Sequence, residues 1–173
     1  PVFEGFVAER PPLRQANLDA MLPDARQAYL TVRDNMQKNA AQSSWSALFK
    51  KELEFEYSFA KGGGLLLAGL DPTGNGAVVA GYGDQREVEL LVEAGFTPLE
   101  AIHVATYNGA QYLGELDRIG TLQPGKQADI VVVKGDPSSK ISDVENVEIV
   151  FKDGVGYDPA KLVKDANGFV GLK

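Results

Sequence analysis

The chain has 173 residues, of which 44% are hydrophobic, so it is long enough to bury a core, and its length suggests one domain or parts of two. Its 17 basic and 24 acidic side chains give a net charge of −7 without a basic cluster, which argues against nucleic acid or an anionic membrane as the main partner. Cysteine is absent, which excludes disulfides, thiolate zinc sites and a cysteine nucleophile. No apolar run approaches the roughly 20 residues of a transmembrane helix.

The beginning of the chain carries little targeting information. It starts at Pro1 without a Met or a signal peptide, so we expect sequence upstream to be missing, and the compartment, cytoplasmic or periplasmic, is not identified. Residues 1–7 alternate loosely and could be the end of a strand, before Arg10, Pro11 and Pro12 interrupt any regular element.

Three helices are predicted in the first part of the chain. The spacing of apolar residues is helical over 15–21 and again from Pro23, which suits a first helical position, to about Lys38. Ser43 or Ser44 can cap the next helix, whose apolar face runs to Ala60 before three glycines end it. Its aromatic residues are interpreted as core, and the acidic residues at 52, 54, 56, 87 and 89 as solvated faces.

A buried strand is predicted directly after the three glycines. Residues 64–70 form a short continuous apolar run, which is typical of a strand buried on both faces, and Asp71 follows at its C-terminal end. Pro72 stops the strand, and Gly74 lets the backbone approach a ligand closely. Asp71 is therefore the first candidate functional residue, although such an Asp can also simply cap the following turn. The strand also needs neighbours, and this part of the chain supplies too few.

Two capping boxes predict two further helices. Asp84 with Glu87 would begin a helix that closes at Gly95. Thr97 with Glu100, and Pro98 between them, would begin a second helix that runs to about Leu113.

The remainder of the chain has the pattern of a small β portion. Strands are predicted over 129–134 and 147–152, and Asp153 with Gly154 predicts a hairpin turn into a strand over 155–157. We therefore divide the chain into an α/β part, residues 1–114, and a β part, residues 115–173.

Other candidate sites are weaker. The single histidine, His103, could be a base or a metal ligand, but it has no second His or Cys and is better explained as a helix-face residue. Neither a nucleophile elbow nor a phosphate-binding loop is present. The segment from Asp71 imitates the start of an EF-hand loop, but its twelfth position is Tyr82 instead of Glu.

The motifs at 90–101, 105–110 and 120–132, taken with Asp71 after an apolar run, resemble the C-terminal part of the metal-dependent amidohydrolase superfamily. The chain is especially similar to the imidazolonepropionase-like and prolidase-like members. The resemblance covers about residues 55–155 and implies the C-terminal portion of a (β/α)₈ TIM barrel, followed by part of a small β-sandwich that the N-terminal and C-terminal segments build together.

The same resemblance implies the chemistry. Asp71 would contact a divalent metal, most simply one or two zinc ions, and would move a proton from a metal-bound water to the leaving group. Thr73, Gly74 and Tyr82 would line the pocket of a small-molecule substrate.

The chain departs from the family pattern because the family's His-x-His pair, its mid-barrel Lys or carboxylate and its later histidines are absent. We therefore expect the full-length protein to hydrolyse C–N bonds in amides, cyclic amides or dipeptide-like substrates. The chain alone would be inactive, would bind no metal, and would need the missing N-terminal portion as its partner. A homo-oligomer is compatible with this reading. The alternatives are a non-catalytic binding or scaffold remnant of the same fold, and a carboxylate-pair glycosidase, for which no second strand-end carboxylate is found.

Overall fold

A computed structural model describes residues 13–40, 44–70, 79 and 81–171. The chain divides into two compact units, the first formed by residues 1–52, 70–84 and 160–173 and the second by residues 53–69 and 85–159. The division predicted between residues 114 and 115 remains a prediction. Within the described part of the chain, no helix is both long and apolar enough to cross a bilayer.

The helices predicted from local signals are present. Pro23 and Thr97 begin helices as expected, and Gly63 (φ 92°) and Gly95 (φ 117°) follow helix ends in the left-handed conformation that favours glycine. The helices are α1 (Gln15–Asp19), α2 (Pro23–Ala40), α3 (Trp45–Lys61), α4 (Tyr82–Glu93), α5 (Pro98–His103), α6 (Gly109–Tyr112) and α7 (Pro159–Asp165); a π-helical turn (Val104–Asn108) joins α5 to α6, and Ile141–Glu145 is a 3₁₀ helix.

The first unit has a small core built from distant parts of the sequence. Leu13, Tyr29 and Val79 are buried together. Beside them the backbone of Met21 pairs with that of Val170 in a parallel bridge. Segments at opposite ends of the described sequence are thus hydrogen-bonded to each other.

The second unit has its core under α4 and α5. Leu91, with 2% of its surface exposed, is buried with Phe96, Ala101 and Val104. Tyr57 of α3 adds an edge-to-face contact with Phe96, with ring centroids 5.0 Å apart.

The same unit contains an antiparallel sheet of strands β1 (Ile130–Val133), β2 (Val147–Lys152) and β3 (Val155–Tyr157), in that order. Ile130 lies opposite Phe151, and β2 and β3 are joined at Asp153 and Gly154, which both have positive φ. Positive φ at both turn residues is the requirement of a type I′ hairpin, so the predicted hairpin is confirmed.

The buried strand predicted over 64–70 does not form among the described residues. In the described part of the chain the segment Gly64–Leu70 pairs with no strand, and Leu65 and Leu67 remain 40% and 37% exposed. An apolar run becomes a buried strand only when neighbours pair with it and cover both faces, and the described residues supply only one covered face.

Three smaller predictions are wrong in whole or in part; of the aromatic residues of α3, Phe49 is buried as predicted. Helix α4 begins at Tyr82, so Asp84 lies in its first turn and does not cap it. Phe55 and Phe59 are exposed, because their helix face has no cover among the described residues; instead they stack on each other. Glu89 is buried, and ion pairing with the equally buried Arg86 offsets the cost of removing its charge from water.

Candidate functional site

The residues predicted to form the site are only partly described. Asp71, Thr73 and Gly74 lie outside the described residues. Tyr82 is half-buried at the start of α4, where it packs against the apolar cluster around Tyr29. The four assignments therefore remain predictions, whereas the segment that leads to Asp71, residues 64–70, is described.

The segment Gly64–Leu70 is held on one side only. Leu66 and Ala68 pack against the core around Leu91, whereas Leu65 and Leu67 point away from it. Burial with a period of two is the pattern of an extended chain that has one covered face. The segment thus has the side-chain alternation of a strand without the pairing of one.

Its start is shaped by α3. The backbone N–H of Gly64 donates to the carbonyl of Phe59 over 2.9 Å. A Cβ on Gly64 would overlap the Phe59 ring, so a larger residue here would require this exposed ring to move. The three glycines therefore both end the helix and aim the chain along the core.

Asn108 ties the interior of the segment to the helices that follow. Its side-chain amide donates to the carbonyl oxygen of Leu66 over 2.8 Å, in a partly buried contact between residues 42 positions apart. Asn108 is the last residue of the π-helical turn Val104–Asn108, and such turns occur frequently at functional sites. The sequence prediction missed this residue; its signal was a poor helix former followed by Gly109 inside a helix.

The start of α5 carries an ion pair with the end of α3. Thr97 and Glu100 form the predicted capping box, and the Lys61 ammonium donates to Glu100 Oε1 over 2.5 Å. The hydrogen bond from Lys61, followed by those from Thr97, lowers the pKa of Glu100 to about 2. Lys61 and Glu100 are thus paired with each other within the same unit, which indicates a structural role for both charges.

His103 occupies a helix face, as predicted. It is exposed, and its ring stacks on Tyr107 with centroids 4.4 Å apart and an interplanar angle of 20°. This supports the helix-face interpretation over a role as base or ligand.

Metal ligands are not assembled in the described part of the chain. Among the residues that the structure describes, no group of three or more His, Cys, Asp or Glu side chains could hold a metal ion. These residues therefore do not form a complete metal centre by themselves.

The motif at 120–132 has a structural explanation. The Lys126 ammonium donates to the carbonyl of Leu116 over 2.5 Å, which fixes the preceding turn. The Asp129 carboxylate accepts from Lys152 (2.6 Å) and from the backbone N–H of Asp153 (2.9 Å), and these bonds lower the pKa of Asp129, with the Lys152 bond the larger cause. The motif thus fastens a loop to the β2–β3 hairpin.

Part of the chain is similar to proteins of one family. Residues 77–156 match the amidohydrolase family, so the predicted family is confirmed over this part of the chain. An adenine deaminase of Ligilactobacillus salivarius is 39% identical over 67 residues, which are 39% of this chain and 11% of that protein. An imidazolonepropionase of Geobacillus kaustophilus is 47% identical over 38 residues, which are 22% of this chain and 9% of that protein.

Solved structures resemble most of the chain. A crystal structure of a Xaa-Pro dipeptidase with bound methionine in the active site superposes with a TM-score of 0.55 at 27% identity, covering 79% of this chain and 34% of that one. A bottromycin amidohydrolase has a TM-score of 0.59 at 24% identity over 92% of this chain and 36% of that one, and this likeness shows the fold alone. The chain is thus a mixed α/β structure that corresponds to a minor part of each relative's length.

Proposed function

We propose that this chain is the C-terminal part of a metal-dependent amidohydrolase that hydrolyses C–N bonds in amides, cyclic amides or dipeptide-like small molecules. In this proposal the segment Gly64–Leu70 is the last strand of a (β/α)₈ barrel, and residues 115–173 belong to a small β-sandwich. The N-terminal portion of the same protein would be its structural partner.

The observation that carries the proposal is the one-sided burial of this segment. A barrel strand is covered outside by helices and inside by the side chains of other strands. Leu66 and Ala68 already have a helical cover in the core around Leu91, whereas Leu65 and Leu67 are exposed. An uncovered apolar face that leads directly to a carboxylate is what the last barrel strand would present to the rest of the enzyme.

The proposed roles follow this arrangement. Asp71 would be the metal-associated carboxylate and proton carrier at the C-terminal end of the strand, the end at which barrel enzymes place their active sites. Thr73, Gly74 and Tyr82 would contact the substrate. A divalent metal, most simply zinc, would lower the pKa of its bound water toward about 7, and its other ligands would come from outside this chain.

The test is an Asp71→Asn variant of the full-length protein, with the exposed first-turn residue Asp84→Asn as the matched control. Hydrolysis is measured against a panel suggested by the similar proteins, namely adenine, an imidazolone and a Xaa-Pro dipeptide, and metal content is measured in parallel. We expect Asp71→Asn to lower kcat by roughly 10²- to 10⁴-fold while Asp84→Asn has little effect.

Two results would contradict the proposal. Unchanged metal-dependent hydrolysis in Asp71→Asn would remove Asp71 from the site. A full-length protein that retains no metal and hydrolyses no member of the panel would favour the non-catalytic alternative, a binding or scaffold remnant of the same fold.

A further inference from the structure

The hydrogen bond between Asn108 and Leu66 forms at a partly buried position. Asn108 follows the buried Val104 by four residues, so both lie on the same side of the helical segment, the side that faces the core. A polar side chain on such a side needs a hydrogen-bond partner, because an unsatisfied amide there is costly. The carbonyl oxygen of Leu66 is that partner, at 2.8 Å.

The helix is adjusted around this contact. The turn Val104–Asn108 is π-helical, a conformation that is rare and usually tied to a local constraint. Within it, Thr106 Oγ1 donates to the carbonyl of Ile102 over 2.7 Å, which satisfies a backbone acceptor of the disturbed helix. An energetically unfavourable π-helical turn and a poor helix former, Asn108, therefore occur at the same position in the chain.

We infer that Asn108 is a positioning residue: it fixes the register of the segment Gly64–Leu70 and, through that segment, the position of Asp71. The inference rests on the proposed function for its last step, whereas the contact itself is observed.

Besides the packing of Leu66 and Ala68 on the core, few contacts hold the register of this segment. Among the described residues its other backbone hydrogen bonds, Gly64 N–H to Phe59 and Leu66 N–H to Gly64, are local to the sequence. A slip by one residue would turn Leu66 and Ala68 away from the core and would shift the chain by about 3.3 Å along its length. Catalytic groups must be held to within about 0.5 Å. A hydrogen bond that fixes the backbone at Leu66 would therefore help to position Asp71, five residues further along the sequence.

The test compares two substitutions of one residue in the full-length protein. Asn108→Ala removes the side chain, while Asn108→Asp keeps its size but replaces the donor by a carboxylate that cannot donate and that repels the Leu66 carbonyl. If Asn108 acts as a donor, Asp should impair the protein at least as much as Ala; if it only fills space, Ala should be the worse. Gln111→Ala, an exposed residue on the next turn, is the matched control.

Two readouts separate this inference from the proposed function. Hydrogen exchange of the peptide covering residues 64–70 should become roughly 2- to 10-fold faster in both variants, with residues 88–93 unchanged as a control for folding. The kcat should fall by roughly 10- to 100-fold with KM unchanged, since the substrate contacts remain while the reacting group is misplaced.

The outcomes are distinct. If the unmodified protein shows no hydrolysis, the proposed function fails, and exchange alone decides whether Asn108 holds the segment. Unchanged exchange at residues 64–70 in both variants overturns the inference, as does an Asn108→Asp protein that behaves like the unmodified one. Faster exchange with an unchanged kcat also overturns it, because the segment would then be held without any effect on catalysis.

Discussion

Two glycines of the loop before β1 provide a controlled test of how that loop is held. Gly120 and Gly125 have nearly the same left-handed backbone conformation, with φ of 89° and 90°. Their surroundings differ: a Cβ on Gly120 would lie 2.6 Å from the Cβ of buried Ala110, whereas a Cβ on Gly125 would meet nothing within 4 Å. Replacing each by alanine therefore separates backbone strain from steric contact.

The magnitudes follow from these two contributions. The left-handed conformation should cost each alanine variant about 1–2 kcal/mol of unfolding free energy. Gly120→Ala should lose about 1–3 kcal/mol more, because the new methyl group is forced against a helix that cannot easily move. Ala110→Gly on its own should cost about 1 kcal/mol of helix propensity.

The assay is urea unfolding of the four single and double variants, followed by far-ultraviolet circular dichroism. Gly120→Ala should be clearly less stable than Gly125→Ala, and the double variant Gly120→Ala/Ala110→Gly should be more stable than the sum of its single changes predicts. Equal losses for the two glycines, or a strictly additive double variant, would refute the close approach between the loop and α6.

Two further predictions concern the same unit. Leu91→Ala should lower the unfolding free energy by about 2–5 kcal/mol because a fully buried side chain is removed, whereas Leu99→Ala, 64% exposed, should change it little; similar urea midpoints for the two would contradict the assigned core. The pKa of Glu100 is lowered from 4.5 to about 2, so its contribution to stability is present above pH 4.5 and is lost as the pH falls toward 2. Urea midpoints measured across this range should fall more for the unmodified protein than for Lys61→Met, and identical pH profiles would argue against the Lys61 bond as the main cause.

The elements that could be predicted from the sequence are those set by neighbouring residues. The capping box of Thr97 and Glu100 and the hairpin turn at Asp153 and Gly154 are local hydrogen-bonding and backbone requirements, and both are confirmed. The long helices were equally accessible, because their apolar spacing extends over several turns.

What could not be predicted depends on distant partners. The apolar run at 65–70 reads as a buried strand, yet pairing and cover on its second face must come from elsewhere in space. The burial of Glu89 is offset by its ion pair with Arg86, and Asn108 at the end of the π-helical turn donates to the carbonyl of the distant Leu66. Pattern alone contains none of these contacts.

The candidate site was predicted from a resemblance and only partly from physical pattern. An apolar run that ends in Asp71 is a reason to suspect chemistry, but the role of metal carboxylate came from the family motifs. Asn108, by contrast, could not be predicted from the sequence, because its partner Leu66 is 42 positions away and the contact is seen only in the folded structure.

The pairing of Met21 with Val170 also constrains the order in which the chain acquires structure. Ala20 accepts hydrogen bonds from the backbone N–H groups of Gly168 and Val170, so these contacts of the first unit must wait until the ribosome has released residue 170. The second unit draws only on residues 53–69 and 85–159, which emerge earlier. During synthesis the second unit can therefore fold before these contacts of the first unit form, while the cluster of Leu13 and Tyr29 still lacks Val170.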